Sequence, residues 1–155
     1  MNFDQAFERL IGHEGGLSED PNDPGGVTKY GISQRAYPNV DIKALTLDEA
    51  KAIYKRDYWK PMQPDALPDG VRFDLFDMAV NSGLRQAVKT LQRAVGAEDD
   101  GVLGMQTLKA VRALSDAQVV ARFNGARLMF MTDLKTWPHF SRGWARRIAS
   151  NLMEV

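Results

Sequence analysis

Apolar residues recur at three- and four-residue intervals along nearly the whole chain, and the one long exception runs from Gly15 to about residue 45. Phe3, Phe7, Leu10 and Ile11 open the series, with Asn2 placed to cap their helix and Gly15-Gly16 to end it. Thr46 and Glu49 form a capping box ahead of Ala50, Ile53, Tyr54 and Tyr58, a stripe that Pro61 stops. Asp69 is positioned to cap an apolar segment around Leu75, Phe76, Ala79 and Val80, which ends at Asn81-Ser82-Gly83. Leu84, Ala87, Val88, Leu91 and Val95 repeat the spacing up to Gly96, and these two helices are expected to form the buried centre. Leu108, Val111 and Leu114 mark a short helix. Ser115 with Gln118 opens another through Val119, Phe123, Phe130 and Leu134, which Trp137-Pro138 is expected to break. Phe140, Trp144, Ile148 and Leu152 then mark a final amphipathic helix. No alternating pattern of useful length exists, so the fold class is mainly α. Its single long irregular segment, which has room for a short β-hairpin, draws attention, because long loops in compact domains tend to be functional.

A chain of 155 residues that is 44% apolar suits one cooperative core, and a single domain over residues 1–155 is expected. The absence of cysteine removes disulfides, thiolate nucleophiles and cysteine-ligated metals. No apolar run approaches the roughly 20 residues of a membrane helix, and the first residues do not read as a secretory leader, so a soluble product made in the cytoplasm is expected. The formal charge is zero, but residues 1–50 carry −5, residues 51–100 balance, and residues 101–155 carry +5. Such a basic tail is either the solvated face of amphipathic helices or a means of attraction to an anionic polymer or envelope surface. Nothing resembles a nucleic-acid module, and a monomer is expected.

Several chemistries fail on spacing. His13-Glu14 lacks the second histidine of H-E-x-x-H, since Leu17 stands there, and the Asp20, Asn22, Asp23 run meets Pro24 and Gly31 where a calcium loop needs ligands. The glycines fit no phosphate-binding register. No metal and no cofactor are expected. Carboxylate chemistry remains, and Glu14 is placed for it. It lies four residues after Leu10 and three after Ile11, on the apolar face, at a helix C-terminus where the macrodipole disfavours an anion. Desolvation and dipole both favour the protonated form, which a general acid requires. The alternative is a helix-end glutamate in solvent. The following loop favours the first reading. Asp20 and Asp23 each precede proline, which stiffens the backbone, and Gly25-Gly26 permit a tight return. Such a loop can present Asp23 toward Glu14, with the Thr28 hydroxyl close enough to hold a water. Two carboxylates and a positioned water are the components of glycoside hydrolysis.

The run E-G-G-x-x-x-x-x-x-D-x-G-G-x-T-x-x-G-I, Glu14 to Ile32, resembles the signature of glycoside hydrolase family 108, which comprises phage endolysins and related N-acetylmuramidases. FDLFDMAVNSG at 73–83, DGVLGMQT at 100–107 and RGWARR at 142–147 resemble the family's later blocks, the last part being similar to its predicted peptidoglycan-binding region. The resemblance implies a lysozyme-like α fold, with a catalytic half over 1–95 and a wall-binding half over 96–155 that does not fold independently. It implies peptidoglycan as partner, and cleavage of the β-1,4 bond between N-acetylmuramic acid and N-acetylglucosamine with Glu14 as the acid. The Glu14, Asp23, Thr28 spacing also resembles that of T4-type phage lysozymes, whose threonine comes one residue later. Tyr30, Asn81 and Ser82 are expected sugar contacts; equally, Tyr30 suits core packing and Asn81-Ser82-Gly83 a turn between helices.

The expected function is therefore that of an endolysin, held in the host cytoplasm and reaching the wall once the membrane is permeabilised. Two rivals stand beside it: a lytic transglycosylase, which uses one acid and the sugar's own hydroxyl, and a non-catalytic wall-binding or secretion-helper protein on the same fold. Thr28 offers a hydroxyl suited to a bound water, so inversion at the anomeric carbon is the expected outcome.

Overall fold

The computed structural model describes residues 1–13, 16–22 and 24–154, the side chain of His13 excepted. The described residues form seven α-helices and one two-stranded sheet, a mainly α, lysozyme-like fold. The chain divides into two units, Asn2–Asp57 and Tyr58–Val155 with Met1.

In the first unit, α1 (Phe3–His13) starts where the sequence signals it. Asn2 Oδ1 accepts from the Gln5 amide and Gln5 Oε1 accepts from the Asn2 amide, both at 3.0 Å, so two otherwise orphaned donors are satisfied. Phe3, Ala6, Phe7 and Leu10 are buried along one face. The Phe7 ring lies 5.9 Å from that of Tyr54 on α2 (Leu47–Tyr54), and Lys51 reaches Asp4 at 2.8 Å. Thr46 caps α2 by accepting from the Glu49 amide at 3.2 Å. The α2 stripe does not continue at Tyr58 as its spacing predicts. A π-turn over Lys55–Trp59 inserts one residue and leads into the second unit, where Trp59 is buried with its ring 5.4 Å from that of Phe76. Between the helices lies a hairpin of β1 (Thr28–Lys29) and β2 (Ile32–Ser33), paired Thr28 to Ser33 and Lys29 to Ile32. Its two-residue turn places Tyr30 at φ 52° and Gly31 at φ 79°, both left-handed, as a tight twisted hairpin requires. The Tyr54 hydroxyl donates to the Tyr30 carbonyl at 2.5 Å and so fastens α2 to this turn.

In the second unit, α3 (Asp69–Ser82), α4 (Leu84–Val95) and α6 (Asp116–Thr132) pack on one another, α5 (Met105–Arg112) lies against α4, and α7 (Trp137–Met153) against α6. Pro68, not Asp69, occupies the N-cap of α3. Asp69 stands at the first helical position and its carboxylate pairs with the Met1 α-amino group and with Arg72. At Gly70 a Cβ would sit 3.2 Å from Val120 Cγ2, so the missing side chain lets α3 approach α6 closely. The capping box at Ser115 and Gln118 forms in full. Trp137-Pro138 begins α7 rather than breaking α6, because proline's missing N–H costs nothing in a first turn. The expected apolar stripe of α7 is also only partly its inner face. Ile148 is buried with Asn151 and most of Arg147, whereas Phe140 and Leu152 are exposed.

The interior of this unit is crossed by a polar seam. Asp74 and Asp77 are buried on α3, spaced i, i+3, and meet Asn124 and Arg127, spaced i, i+3 on α6. Asn124 Nδ2 donates to Asp74 at 2.9 Å; Arg127 Nη1 donates to Asp77 at 2.7 Å with neither side chain exposed. From α7, Arg147 donates from Nε at 3.0 Å and from Nη2 at 2.5 Å, and Asn151 from Nδ2 at 3.2 Å, all to Asp77. Burial pushes the Asp77 carboxyl up, but the Arg147 hydrogen bonds and the charges of Arg127 and Arg147 outweigh it and bring it down to about 2. Burial draws the Arg127 guanidinium below its usual range against the pull of Asp77, and a guanidinium in this position stays charged.

A second buried polar side chain organises the loop between α4 and α5. The Gln92 amide donates to Asp100 Oδ1 at 2.8 Å and to the Val102 carbonyl and Thr107 Oγ1 at 2.9 Å, and its oxygen accepts from Gly101 N at 2.9 Å. The DGVLGMQT block is thus wound around one glutamine. Gly101 has φ 78°, and a Cβ there would meet Arg85 at 2.9 Å.

Two expected outcomes follow. Asp77→Ala leaves Arg127 charged, buried and uncompensated, and should cost about 3–5 kcal/mol at pH 7 in denaturant titration. Because the folded pKa of Asp77 is depressed, its contribution is complete above the ordinary carboxylate range and lost as pH falls toward about 2. Melts of Asp77→Asn should lack that acid-side slope, and identical slopes in both proteins would contradict the assignment. Tyr54→Phe should cost about 1 kcal/mol by removing the bond to the Tyr30 carbonyl. Gly31→Ala should cost a similar amount because an L-residue resists φ 79°.

Candidate active site

The irregular segment after α1 folds back on itself. Ser18 and Thr28 form an antiparallel bridge, the Ser18 amide donating to the Thr28 carbonyl at 2.7 Å and the Thr28 amide to the Ser18 carbonyl at 2.8 Å. The loop that holds both Asp-Pro steps is therefore closed at its base. At its near end Asp20 Oδ1 accepts from the Asn22 amide at 2.9 Å, an Asx-turn that shapes the approach to the first proline. At its far end Gly26 takes φ 74°; Gly25 does not need the left-handed region, and its carbonyl accepts from Arg35 N at 3.1 Å. Gln34 N donates to the Val27 carbonyl at 2.8 Å. Loop, bridge and hairpin thus share one continuous set of backbone bonds.

Thr28 sits where these strands meet. Its backbone is held by the bridge, its residue is half-buried, and Oγ1 donates to the Gly26 carbonyl at 3.3 Å, a long bond. Two residues on, the Tyr30 ring lies 5.5 Å from the Lys29 ammonium, which donates to the Lys43 carbonyl at 3.0 Å. Lys43 in turn pairs with Glu19 at 2.7 Å, next to the bridge, and the hydrogen bond and charge of Glu19 hold its ammonium pKa above the usual value. The rim of the loop is laced by charge as well as by backbone.

The expected site residues are distributed as follows. Thr28 and Tyr30 belong to one hairpin in the first unit. Asn81, exposed, and Ser82, half-buried, form the last turn of α3 in the second unit, where Gly83 at φ 90° separates α3 from α4. Glu14 and Asp23 lie outside the described residues. The sequence reading missed Tyr54, which fixes the backbone of Tyr30. The signal was present, since a tyrosine on a buried stripe must find a partner for its hydroxyl. It allowed for a short hairpin in this segment but did not place it, and the turn is the left-handed pair Tyr30-Gly31 between Thr28–Lys29 and Ile32–Ser33. Among the described residues no group of three His, Asp or Glu side chains is arranged to hold a metal, and no helix is long and apolar enough to cross a membrane.

The basic tail divides in the same way between structure and surface. Arg142 and Arg146 are exposed on α7, whereas Arg147 turns inward to Asp77 and is 15% exposed. Of these three arginines, the first two are the ones placed to act outside the protein.

Comparison with known proteins joins these features. Residues 7–83 match the family model for Glycosyl hydrolase 108, a span that includes most of α1, the closed loop, the hairpin and α3. Residues 86–149 match the model described as Predicted Peptidoglycan domain, which takes in the Gln92-centred loop and most of α7. No curated protein matches the chain significantly. Among solved structures, that of Brucella abortus SagA is similar, with a TM-score of 0.89 and 36% sequence identity over 96% of this chain and 90% of that one. The chain belongs to the glycosyl hydrolase 108 family and carries that family's peptidoglycan-binding region, which makes it a protein that acts on or binds peptidoglycan.

Proposed function

We propose that this protein is an N-acetylmuramidase that hydrolyses the β-1,4 bond between N-acetylmuramic acid and N-acetylglucosamine. The observation that carries the reading is the glycosyl hydrolase match over 7–83, which contains Glu14 and the closed loop, followed directly by a peptidoglycan domain over 86–149. Glu14 gives its proton to the glycosidic oxygen as the C1–O bond breaks. Water held by Thr28 and Asp23 attacks C1 from the opposite face and loses its proton to the Asp23 carboxylate. The Ser18–Thr28 bridge supports this role for Thr28, since it pins the backbone that carries the hydroxyl. Tyr30, Asn81 and Ser82 serve as saccharide contacts. The resemblance to phage lysozymes further supports an endolysin, retained in the host cytoplasm until the membrane is permeabilised.

The test is clearance of purified sacculi by the protein and by Glu14→Gln. Loss of the acid should slow clearance at least about a hundredfold. A glutamate kept protonated by its surroundings gains nothing from ionising, so the thermal midpoint of Glu14→Gln at pH 7 should equal or exceed that of the parent. A marked drop would make Glu14 a structural residue. NMR of the first product should show the α-anomer before mutarotation. An initial β-anomer would remove the inverting mechanism, anhydro-muropeptides would indicate a transglycosylase, and binding without clearance by either protein would leave a wall-binding module.

A further inference from the structure

In the peptidoglycan-binding region, α5 is fixed from below and open from above. Thr107 and Val111 are buried, and the Gln92 amide holds Thr107 together with the loop that leads into the helix. Gln106, Lys109 and Arg112 form the exposed row, at helical spacing i, i+3, i+6. A cleft runs along each side of this row. One, of about 500 Å³, has small residues such as Gly96, Ala97 and Ala110 in its lining, beside Glu98, Gln106 and Lys109. The other, a depression of about 510 Å³, is lined by α5 alone, through Met105, Gln106, Leu108, Lys109 and Arg112. Both are open to solvent, so an extended segment can lie along them.

The charges in these clefts are uncommitted. Arg93 takes up Asp99 at 2.7 Å, and Asp100 is held by Gln92 and the Val102 amide. Lys109, Arg112 and Glu98 have no ion pair or hydrogen bond from their side chains among the described residues. Glu98 and Lys109 line one cleft without neutralising each other there. Taken together, the two clefts offer two cations, one anion and a primary amide, a set that fits a ligand carrying carboxylates, an amine and peptide groups. Neither cleft is lined by an aromatic ring, the surface on which a neutral sugar face would stack. A purely anionic polymer would meet repulsion at Glu98.

We propose that the clefts along α5 bind the stem peptide of peptidoglycan, with its free carboxylates on Lys109 and Arg112, its amine on Glu98 and its backbone on the Gln106 amide. This assignment rests on the peptidoglycan-binding reading and adds which part of the polymer is read, and by which residues.

The experiment is cold pull-down of the full chain on sacculi stripped of attached anionic polymers, before and after an amidase has removed the stem peptides. The intact protein should bind peptide-free glycan about tenfold more weakly than whole sacculi. The double variant Lys109→Ala, Arg112→Ala should bind whole sacculi about tenfold more weakly at low salt, with the gap narrowing as salt rises, and should lose little more after amidase. Ala110→Trp, which fills the first cleft without changing charge, should act in the same direction, with melting curves recorded for each variant. Unchanged binding by folded variants, or undiminished binding of the intact protein to peptide-free glycan, would overturn the stem-peptide site while leaving peptidoglycan as the partner. Failure of the intact protein to bind whole sacculi would overturn the peptidoglycan-binding reading itself.

Discussion

The second unit is organised by one carboxylate. Asp77 receives donors from two other helices, Arg127 on α6 and Arg147 with Asn151 on α7, so three segments far apart in sequence are tied at one point. A buried ion pair of this kind adds little net stability compared with a well-packed apolar cluster, because desolvating the ions offsets much of their attraction. Its contribution is selectivity. An apolar α7 could slide or rotate on α6 at small cost, whereas a guanidinium forked onto Asp77 admits one register. The seam continues to Asp74 and Asn124 one turn away, so α3 and α6 are matched at two successive levels. Arg127 Nε and Nη2 and Asn124 Oδ1 are buried without partners among the described residues, which places a further energetic demand on the bonds that do form.

The first unit is organised differently, around backbone pairing. Its hairpin has two residues per strand, too short to persist alone, and it is held by the Tyr54 hydroxyl, the Lys29 contact to Lys43 and the Ser18–Thr28 bridge. A tyrosine and a glycine in the left-handed region carry the turn, and the cost at Tyr30 is met by the bond to its carbonyl. Within the described part of the irregular segment, contacts therefore converge on Thr28 and Tyr30 from both sides.

Much of the helical pattern was legible because its signals are local. The Asn2 cap and the Ser115–Gln118 box act within one turn, and the structure forms both, with Gln5 completing the first. The failures share a cause. Proline suits the position after a helix and the first turn of the next, so Trp137-Pro138 could be read either way. The slip from Tyr58 to Trp59 arises from a π-turn, which leaves no mark in a spacing count. Nothing local marks Asp77, inside an apolar segment, or Arg147, in the basic tail, as a partner, since Arg127 and Arg147 lie 50 and 70 positions from Asp77. At the candidate site, the sequence indicated Thr28 and Tyr30 but not the phenol of Tyr54 that steadies them. Glu14 and Asp23 rest on the chemical argument and the family match alone.

The Ser18–Thr28 bridge has an evolutionary consequence. Once two hydrogen bonds fix the ends of a loop, lengthening its interior adds only a logarithmic closure cost, about 0.6 kcal/mol for each doubling. Substitutions or insertions between the bridge residues can then reshape what the loop presents without displacing the backbone of Thr28. Lineages sharing this scaffold thus have a place to diversify, and it lies inside a segment whose anchor points are defined by main-chain atoms and so are indifferent to side-chain drift.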